Sequence, residues 1–256
     1  MTVGVILAAG VGSRLRPLTE ALPKCLVPLT TETILGRMVR LLVEAGVSSL
    51  VVSTGFEAPQ VEAALARCPV PVRCVHNPDY DRVQNVVSLH RALEAAPPGD
   101  FVKLDGDVVF QPAVLSRLLG ARGDAQGLGW GDGRVALDDR VPPRDEAMKV
   151  EAPPGNPRGA LRFGKALDPA RCTGESIGIE WFGAAARGAL AAALASAVAA
   201  GHTDLYYEDV YASLVAQGQG LVTVPVGDLD WTEVDDLTDL ARARDLVQAW
   251  ESPRSA

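Results

Sequence analysis

The chain has 256 residues, 48% of them hydrophobic, which is enough for a sizeable core. Its net charge of −8 and isoelectric point near 5.0 argue against a nucleic-acid partner, whose phosphates select basic surfaces. The four cysteines (Cys25, Cys68, Cys74 and Cys172) are scattered without a metal-like CxxC pair, the pattern of reduced thiols in a cytoplasmic protein.

Residues 3–7 are a short apolar run suited to a strand buried on both faces. The segment before it lacks the basic leader of a signal peptide, and residues 3–9 are far too short to span a bilayer. Apolar residues at Ile34, Leu35, Met38, Val39, Leu41 and Leu42 predict a helix over 33–45, stopped by Gly46. Strands follow at 49–53, 70–75 and 101–104, alternating with helices at 58–66, 86–95 and 113–119. That alternation marks a parallel sheet with helices on both sides.

The regularity breaks in the glycine-rich stretch 120–133. Residues 134–137, 147–150 and 160–163 read as short antiparallel strands, with a Pro153-Pro-Gly-Asn-Pro157 turn before the last. A strand at 176–182, helices at 183–200 and 208–216, a strand at 221–226 and a helix at 237–250 complete the chain. The alanine-rich 189–200 reads as a packed helix, so no membrane insertion is expected. The expected fold is α/β: a three-layer α/β/α arrangement around a mixed, mostly parallel sheet, with a small antiparallel extension. One domain over 1–251 is expected, with a disordered tail at 252–256.

Chemistry concentrates first behind the opening strand. There the chain reads Leu7-Ala-Ala-Gly-Val-Gly-Ser-Arg-Leu-Arg-Pro-Leu-Thr19, then Pro23-Lys24. Ala8 and Ala9 let the backbone approach a ligand, and Gly10 and Gly12 permit the positive φ angles that turn successive N–H groups inward. Arg14 and Lys24 add full charge where a triphosphate would lie. A P-loop is excluded because no Lys-Ser or Lys-Thr follows the glycines, and a dinucleotide fingerprint because Leu15 stands at its third glycine. A plain strand-to-helix turn is the bland alternative.

Asp105-Gly106-Asp107 ends a predicted strand, where open α/β sheets bind ligands, and Mg²⁺ takes one or two carboxylates beside phosphate oxygens. An Asp-Gly turn explains the same residues. Trp231-Thr-Glu233-Val-Asp235 opens the last helix, where its acids also suit a cap. Gln84-Asn85-Val-Val-Ser88 offers amides for a pyrimidine edge or a ribose, or simply a capped helix start. Lys165 ends a predicted strand, where it is either a phosphate ligand or a solvated lysine. Tyr206-Tyr207-Glu208-Asp209 sets aromatic faces beside carboxylates, the makings of a pocket for a cationic amine; ordinary core tyrosines are the alternative.

The segment from Leu7 to Thr19 with Pro23-Lys24 resembles the signature of the nucleotidyltransferases that activate sugar phosphates and small phosphorylated alcohols. The later segments, together with Glu146-Ala-Met-Lys149-Val, are similar to the branch of phosphocholine and phosphonate cytidylyltransferases. The resemblance implies a Rossmann-like fold and transfer of CMP from CTP to a small phosphate or phosphonate, with release of pyrophosphate and Mg²⁺ as cofactor. It implies that Leu7, Ala8, Ala9, Gly10, Gly12 and Ser13 wrap the nucleotide and that Arg14 and Lys24 hold its phosphates. Gln84, Asn85, Ser88 and Asp105 complete the nucleotide side.

By the same resemblance Asp107 and Asp235 hold the metal, with Glu233 left open as the alternative to Asp235. Lys165 takes the acceptor's phosphate, and Glu175, Tyr206, Tyr207, Glu208 and Asp209 face the acceptor. The branch has Tyr-Trp-Asp where this chain has Tyr206-Tyr207-Glu208, which favours a primary amine over a trimethylammonium. Lys149 receives no role, and Lys103, outside the motifs, is expected to be neutral to substitution. A sugar-1-phosphate nucleotidyltransferase and an inactive nucleotide-binding regulatory subunit are the competing readings, and a homodimer is left open.

Overall fold

The computed structural model describes residues 2–121, 132–140 and 142–252. In chain order the elements are β1 (Thr2–Ala8), α1 (Ile34–Glu44), β2 (Ser49–Thr54), α2 (Ala58–Leu65), β3 (Val72–His76), α3 (Asn85–Ala95), β4 (Asp100–Asp105), β5 (Val108–Phe110) and α4 (Pro112–Gly120). Then come β6 (Gly133–Asp138), β7 (Lys149–Glu151), β8 (Gly159–Ala160), β9 (Arg162–Gly164), β10 (Gly174–Phe182), α5 (Ala184–Ala199), α6 (Tyr207–Ala216), β11 (Leu221–Pro225), β12 (Trp231–Glu233) and α7 (Leu237–Glu251). Single 3₁₀ turns lie at Ser13–Leu15, Lys24–Leu26 and Pro169–Arg171.

Ten strands form the main sheet, whose spine runs β3-β2-β1-β4-β10-β6-β11-β8, with β7 and β9 attached beside β10. The first four are parallel, β10 runs against β4 and β6, and β11 is again parallel to β6. Because β1 is covered on both faces, it has no polar-out alternation: Val3, Val5, Ile6 and Leu7 are all buried. One apolar layer packs Ile34, Leu35 and Met38 of α1 with Leu115 and Leu118 of α4 and Val247 of α7. The other packs Leu89 and Leu93 of α3 with Leu190 of α5 and Tyr211 of α6. The α1 stripe begins where Thr33 Oγ1 accepts from the Gly36 N–H at 3.0 Å and stops at Gly46, whose φ is +86°.

The chain winds outward from β1 to β2 to β3, then crosses back to place β4 on the other side of β1. The strand order therefore reverses between β1 and β4, whose carboxyl ends flank the crevice where sheets of this kind hold ligands. The α/β layering matches the expectation, and three details differ. The strand expected at 134–137 belongs to the main sheet as β6, because β10 runs far enough to pair with it from Glu175 to Phe182. The strand expected at 160–163 is two, β8 and β9, which pair with β11 and β7 respectively. A separate ribbon of β5 and β12, missed in the sequence, joins residues 108–110 to 231–233. Most of the glycine-rich stretch and residues 253–256 of the expected tail lie outside the described residues.

Candidate active site

A cavity of about 490 Å³ opens at the carboxyl ends of β1 and β4. Leu7, Ala9 and Gly10 line it from the β1 side, Asp105, Gly106 and Asp107 from β4, and Gln84, Asn85 and Ser88 from the start of α3. Arg14, Lys165, Tyr206, Glu208, Glu233 and Asp235 also reach it. Residues from six separate stretches thus meet in one place. Ala8, Gly12, Ser13, Lys24, Glu175, Tyr207 and Asp209 do not line it.

The glycine loop is held by contacts that need its small residues. Gly106 donates to Leu7 O at 2.9 Å, and a Cβ on Gly106 would lie 2.4 Å from that oxygen. Gly12 has φ +66°, the left-handed region, and a Cβ there would meet Lys24 Cβ at 2.8 Å. Its carbonyl accepts from Thr19 Oγ1 at 2.6 Å and from the Leu15 N–H at 3.0 Å. Gly12 thus seats the loop against the lysine instead of facing the ligand. Gly10 is not in the left-handed region, contrary to expectation. Its Cβ position meets nothing within 4 Å, so there the small residue leaves open space beside the cavity.

Lys24 Nζ lies 2.7 Å from Asp107 Oδ2 and 2.7 Å from Asp235 Oδ1, and Arg14 Nη2 lies 2.8 Å from Asp235 Oδ2. Burial pulls the Lys24 ammonium down, but Asp107 and Asp235 together hold it well above the ordinary lysine value. Burial pushes Asp235 up, and Lys24 and Arg14 outweigh it, leaving Asp235 below the ordinary carboxylate value. Glu233 is instead raised to about 7, first by burial and then by Asp107 and Asp235, with Arg144 opposing. No group of three or more His, Cys, Asp or Glu side chains is gathered to hold a metal among the described residues. Two carboxylates already bridged by a cationic nitrogen nevertheless fit a hard divalent cation that draws its other ligands from phosphates and water.

At the other end, Tyr206 and Glu208 face the cavity and Tyr207 does not, a correction to the expected acceptor set. Tyr207 is fully buried and turns its hydroxyl to Asp105 Oδ2 at 2.6 Å, while its N–H donates to Asn85 Oδ1 at 2.9 Å. Tyr206 is the N-cap of α6, with extended backbone, so its side chain leaves the helix start in a different direction from that of Tyr207. Asp209 is also turned away: its Oδ2 accepts from the Tyr206 N–H at 2.8 Å, capping α6. Glu175 lies behind the wall, accepting from the Arg144 N–H at 3.1 Å and from Arg144 Nε at 2.9 Å. Lys165 Nζ stands 5.1 Å from the Tyr206 ring centroid.

Glu208 is buried, and its Oε2 has no hydrogen-bond partner among the described residues. Burial raises it to about 8 and raises Glu180, in the same cluster, to about 7; Lys103 opposes both, and Asp105 adds to the rise. Between the ordinary glutamate value of 4.5 and these values the folded chain keeps protons that the unfolded chain releases. Stability contributed by these two groups is therefore greatest at low pH and is lost as pH rises through 7 to 8. Denaturant unfolding is expected to lose up to about 1.4 kcal/mol per pH unit for each proton involved. Glu208→Gln should flatten the slope; an unchanged slope would show that Glu208 does not titrate there.

Two residues without an assigned role shape the same cavity. Arg144 reaches it from the loop before β7, its Nη2 3.7 Å from Glu233 and its guanidinium 5.3 Å from the Trp231 ring centroid. Nothing in the spacing of Pro142-Pro-Arg144 signals this. Lys149 is buried and donates to Asp145 O at 2.5 Å and Lys165 O at 2.6 Å. It staples the Arg144 loop to the segment carrying Lys165.

A mixed α/β sheet with a glycine loop, two basic residues and two carboxylates at its switch point defines a nucleotidyltransferase domain. The chain belongs to the family of the MobA-like NTP transferase domain, whose model matches residues 4–206. It is 31% identical over 248 residues to the bifunctional IPC transferase and DIPP synthase of Rubrobacter xylanophilus, covering 96% of this chain and 52% of that protein. The chain thus spans about half the length of that relative. It is 26% identical over 241 residues to the 2-aminoethylphosphonate cytidylyltransferase of Lancefieldella rimae, covering 94% of this chain and 91% of the other. Among solved structures, the inositol-1-phosphate CTP transferase from T. maritima superposes with a TM-score of 0.77 at 21% identity, over 99% of this chain and 98% of that one. No described helix is long and apolar enough to cross a membrane.

Proposed function

We propose that the chain transfers CMP from CTP to a small phosphate or phosphonate that bears an amine, releasing pyrophosphate. The observation that carries this reading is the cluster at the switch point, where Lys24 and Arg14 meet Asp107 and Asp235 beside the glycine loop. The name of the Lancefieldella relative, which matches nearly end to end, supports cytidine and a phosphonate acceptor.

An oxygen of the acceptor's phosphoryl group attacks the α-phosphorus of CTP in line. The new O–P bond forms as the bond to the pyrophosphate oxygen breaks. The attacking oxygen is ionised at pH 7, so no residue has to take its proton, and the chain's work is positioning and charge. The glycine loop offers N–H groups to the nucleotide, Arg14 faces its phosphates with the Lys24 charge behind it between Asp107 and Asp235, and Gln84, Asn85 and Ser88 face base or ribose. Asn85 Oδ1 is already taken by the Tyr207 N–H, which leaves its amide nitrogen for the nucleotide. Asp107 and Asp235 would hold Mg²⁺, which offsets phosphate charge when bound. Lys165 takes the acceptor's phosphoryl group, and the Glu208 carboxyl group, which lines the cavity, meets its ammonium. With Tyr207 behind the wall, Tyr206 lacks its neighbour as a second aromatic face, which disfavours a trimethylammonium.

A second reading has one observation in its favour. A Glu208 carboxyl raised to about 8 is protonated at neutral pH and would donate to a hydroxyl, as on a sugar phosphate.

Pyrophosphate release decides among these with four nucleotides crossed against phosphocholine, 2-aminoethylphosphonate, their hydroxy analogues and sugar phosphates. CTP with an amine-bearing acceptor is expected to be fastest. Equal rates with amino and hydroxy analogues would refute the amine contact and leave nucleotidyl transfer standing. Nucleotide binding without release from any pair would identify a regulatory subunit instead.

A further inference from the structure

Lys103 lies in the middle of β4 and is fully buried. A buried ammonium persists only where its charge is matched, and the matching groups here come from three elements. Its Nζ lies 2.9 Å from Asp105 Oδ1 and 3.0 Å from Glu180 Oε2 of β10. It also donates to the Tyr207 hydroxyl of α6 and, at 3.4 Å, to Gly178 O. Among the described residues it is the only ion-pair partner of Asp105 and of Glu180.

Both oxygens of Asp105 are thereby held from inside the sheet, Oδ1 by Lys103 and Oδ2 by the Tyr207 hydroxyl. Gly178, with φ +72°, makes room for that carboxylate, since a Cβ would fall 2.4 Å from Asp105 Oδ2. Tyr207 in turn fixes Asn85 through its N–H, and the next residue of α6 is Glu208. Asp105, Asn85 and Glu208 all face the cavity, on its nucleotide and acceptor sides, and all depend on this hub. Lys103 itself does not reach the cavity.

We propose that Lys103 is a positioning residue: acting through Asp105 and Tyr207, it sets where the nucleotide and the acceptor lie relative to each other. The proposal rests on the transfer reaction above. A displacement of reacting groups by about 1 Å costs on the order of 10²-fold in rate, so a lysine with no substrate contact controls kcat.

Three variants test it, each followed by thermal midpoint, kcat, and KM for CTP and for the acceptor. Lys103→Met should lower kcat about 10²-fold and also lower the midpoint, because Asp105 and Glu180 lose their counter-charge. Lys103→Met combined with Glu180→Gln removes the stranded charge of the fully buried Glu180, while Asp105 keeps the Tyr207 hydroxyl, and should recover part of the midpoint, with kcat still at least about tenfold down. Tyr207→Phe deletes one hydroxyl and should lower the midpoint less than Lys103→Met does, with kcat reduced about tenfold and KM for CTP changed less. A purely structural lysine would instead return kcat together with stability in the double variant. Wild-type kcat in that folded double variant, or in Tyr207→Phe, overturns the proposal. A wild-type chain that releases no pyrophosphate from any pair removes the transfer reading and this one with it. An active wild type whose variants keep its kcat removes the positioning role alone.

Discussion

Lys24→Ala is expected to lower turnover by about 10²-fold or more while the fold persists, because it takes a full charge from the transferring phosphates. It should also change how the resting chain responds to metal. Lys24 Nζ is the cation that lies between Asp107 and Asp235, at 2.7 Å from each. Without it the two carboxylates face each other, and among the described residues Arg14 alone is left to pair with Asp235. Mg²⁺ should then raise the thermal midpoint of the variant more than that of the wild type, by about 2–4 °C for each kcal/mol of added stabilisation in a chain of this size. A folded variant with a near-wild-type rate would remove Lys24 from the reaction, and an unchanged response to Mg²⁺ would remove it from the carboxylate pair.

Asp107→Asn and Asp235→Asn should each abolish turnover and raise the Mg²⁺ concentration needed for any residual rate, and EDTA should stop the wild type. Asp235 is the better-matched partner of Asp107 than Glu233. It is ionised below the ordinary carboxylate value and shares Lys24 with Asp107, whereas Glu233 is raised to about 7 and lies 3.7 Å from Arg144. Glu233→Gln is therefore expected to retain a measurable rate. Loss of activity in Glu233→Gln with Asp235→Asn silent would move the second carboxylate two residues back along the chain.

The glycine-loop side of the cavity was legible because its residues are consecutive. A strand, a loop and two basic side chains follow one another from Val5 to Lys24, and Asp105-Gly106-Asp107 is a single strand end. At the Lys165 end of the cavity the contributing segment was legible, but not which of its side chains reach the cavity. Tyr206, Tyr207, Glu208 and Asp209 look alike in a string, but the start of α6 sends Tyr206 and Glu208 to the cavity and Tyr207 and Asp209 elsewhere. Lys103, expected to be neutral to substitution, carries its signal as a charge inside the otherwise apolar Phe101-Val-Lys-Leu of a central strand, where burial demands partners. Those partners, Glu180 and Tyr207, are supplied by β10 and α6, so only the folded sheet reveals them. Arg144 and Lys149 act through loop carbonyls and distant acids, contacts that leave no periodicity in a sequence. The strands β5 and β12, at three residues each, are too short to show any.

That small ribbon has a bearing on the order in which the molecule is put together. Val234 donates to Asp107 O at 2.9 Å, just beyond the β5–β12 pairing, so the backbone itself brings Asp235 to Asp107 and Lys24. Lys24 and Asp235 are 211 residues apart in the chain, and closing so long a loop is a late and slow event in folding. During synthesis the glycine loop and the first four strands emerge well before the second carboxylate exists. Refolding should accordingly recover sheet structure first and the capacity to respond to Mg²⁺ last, so a chain caught midway would hold the cradle for a nucleotide without the means to act on it.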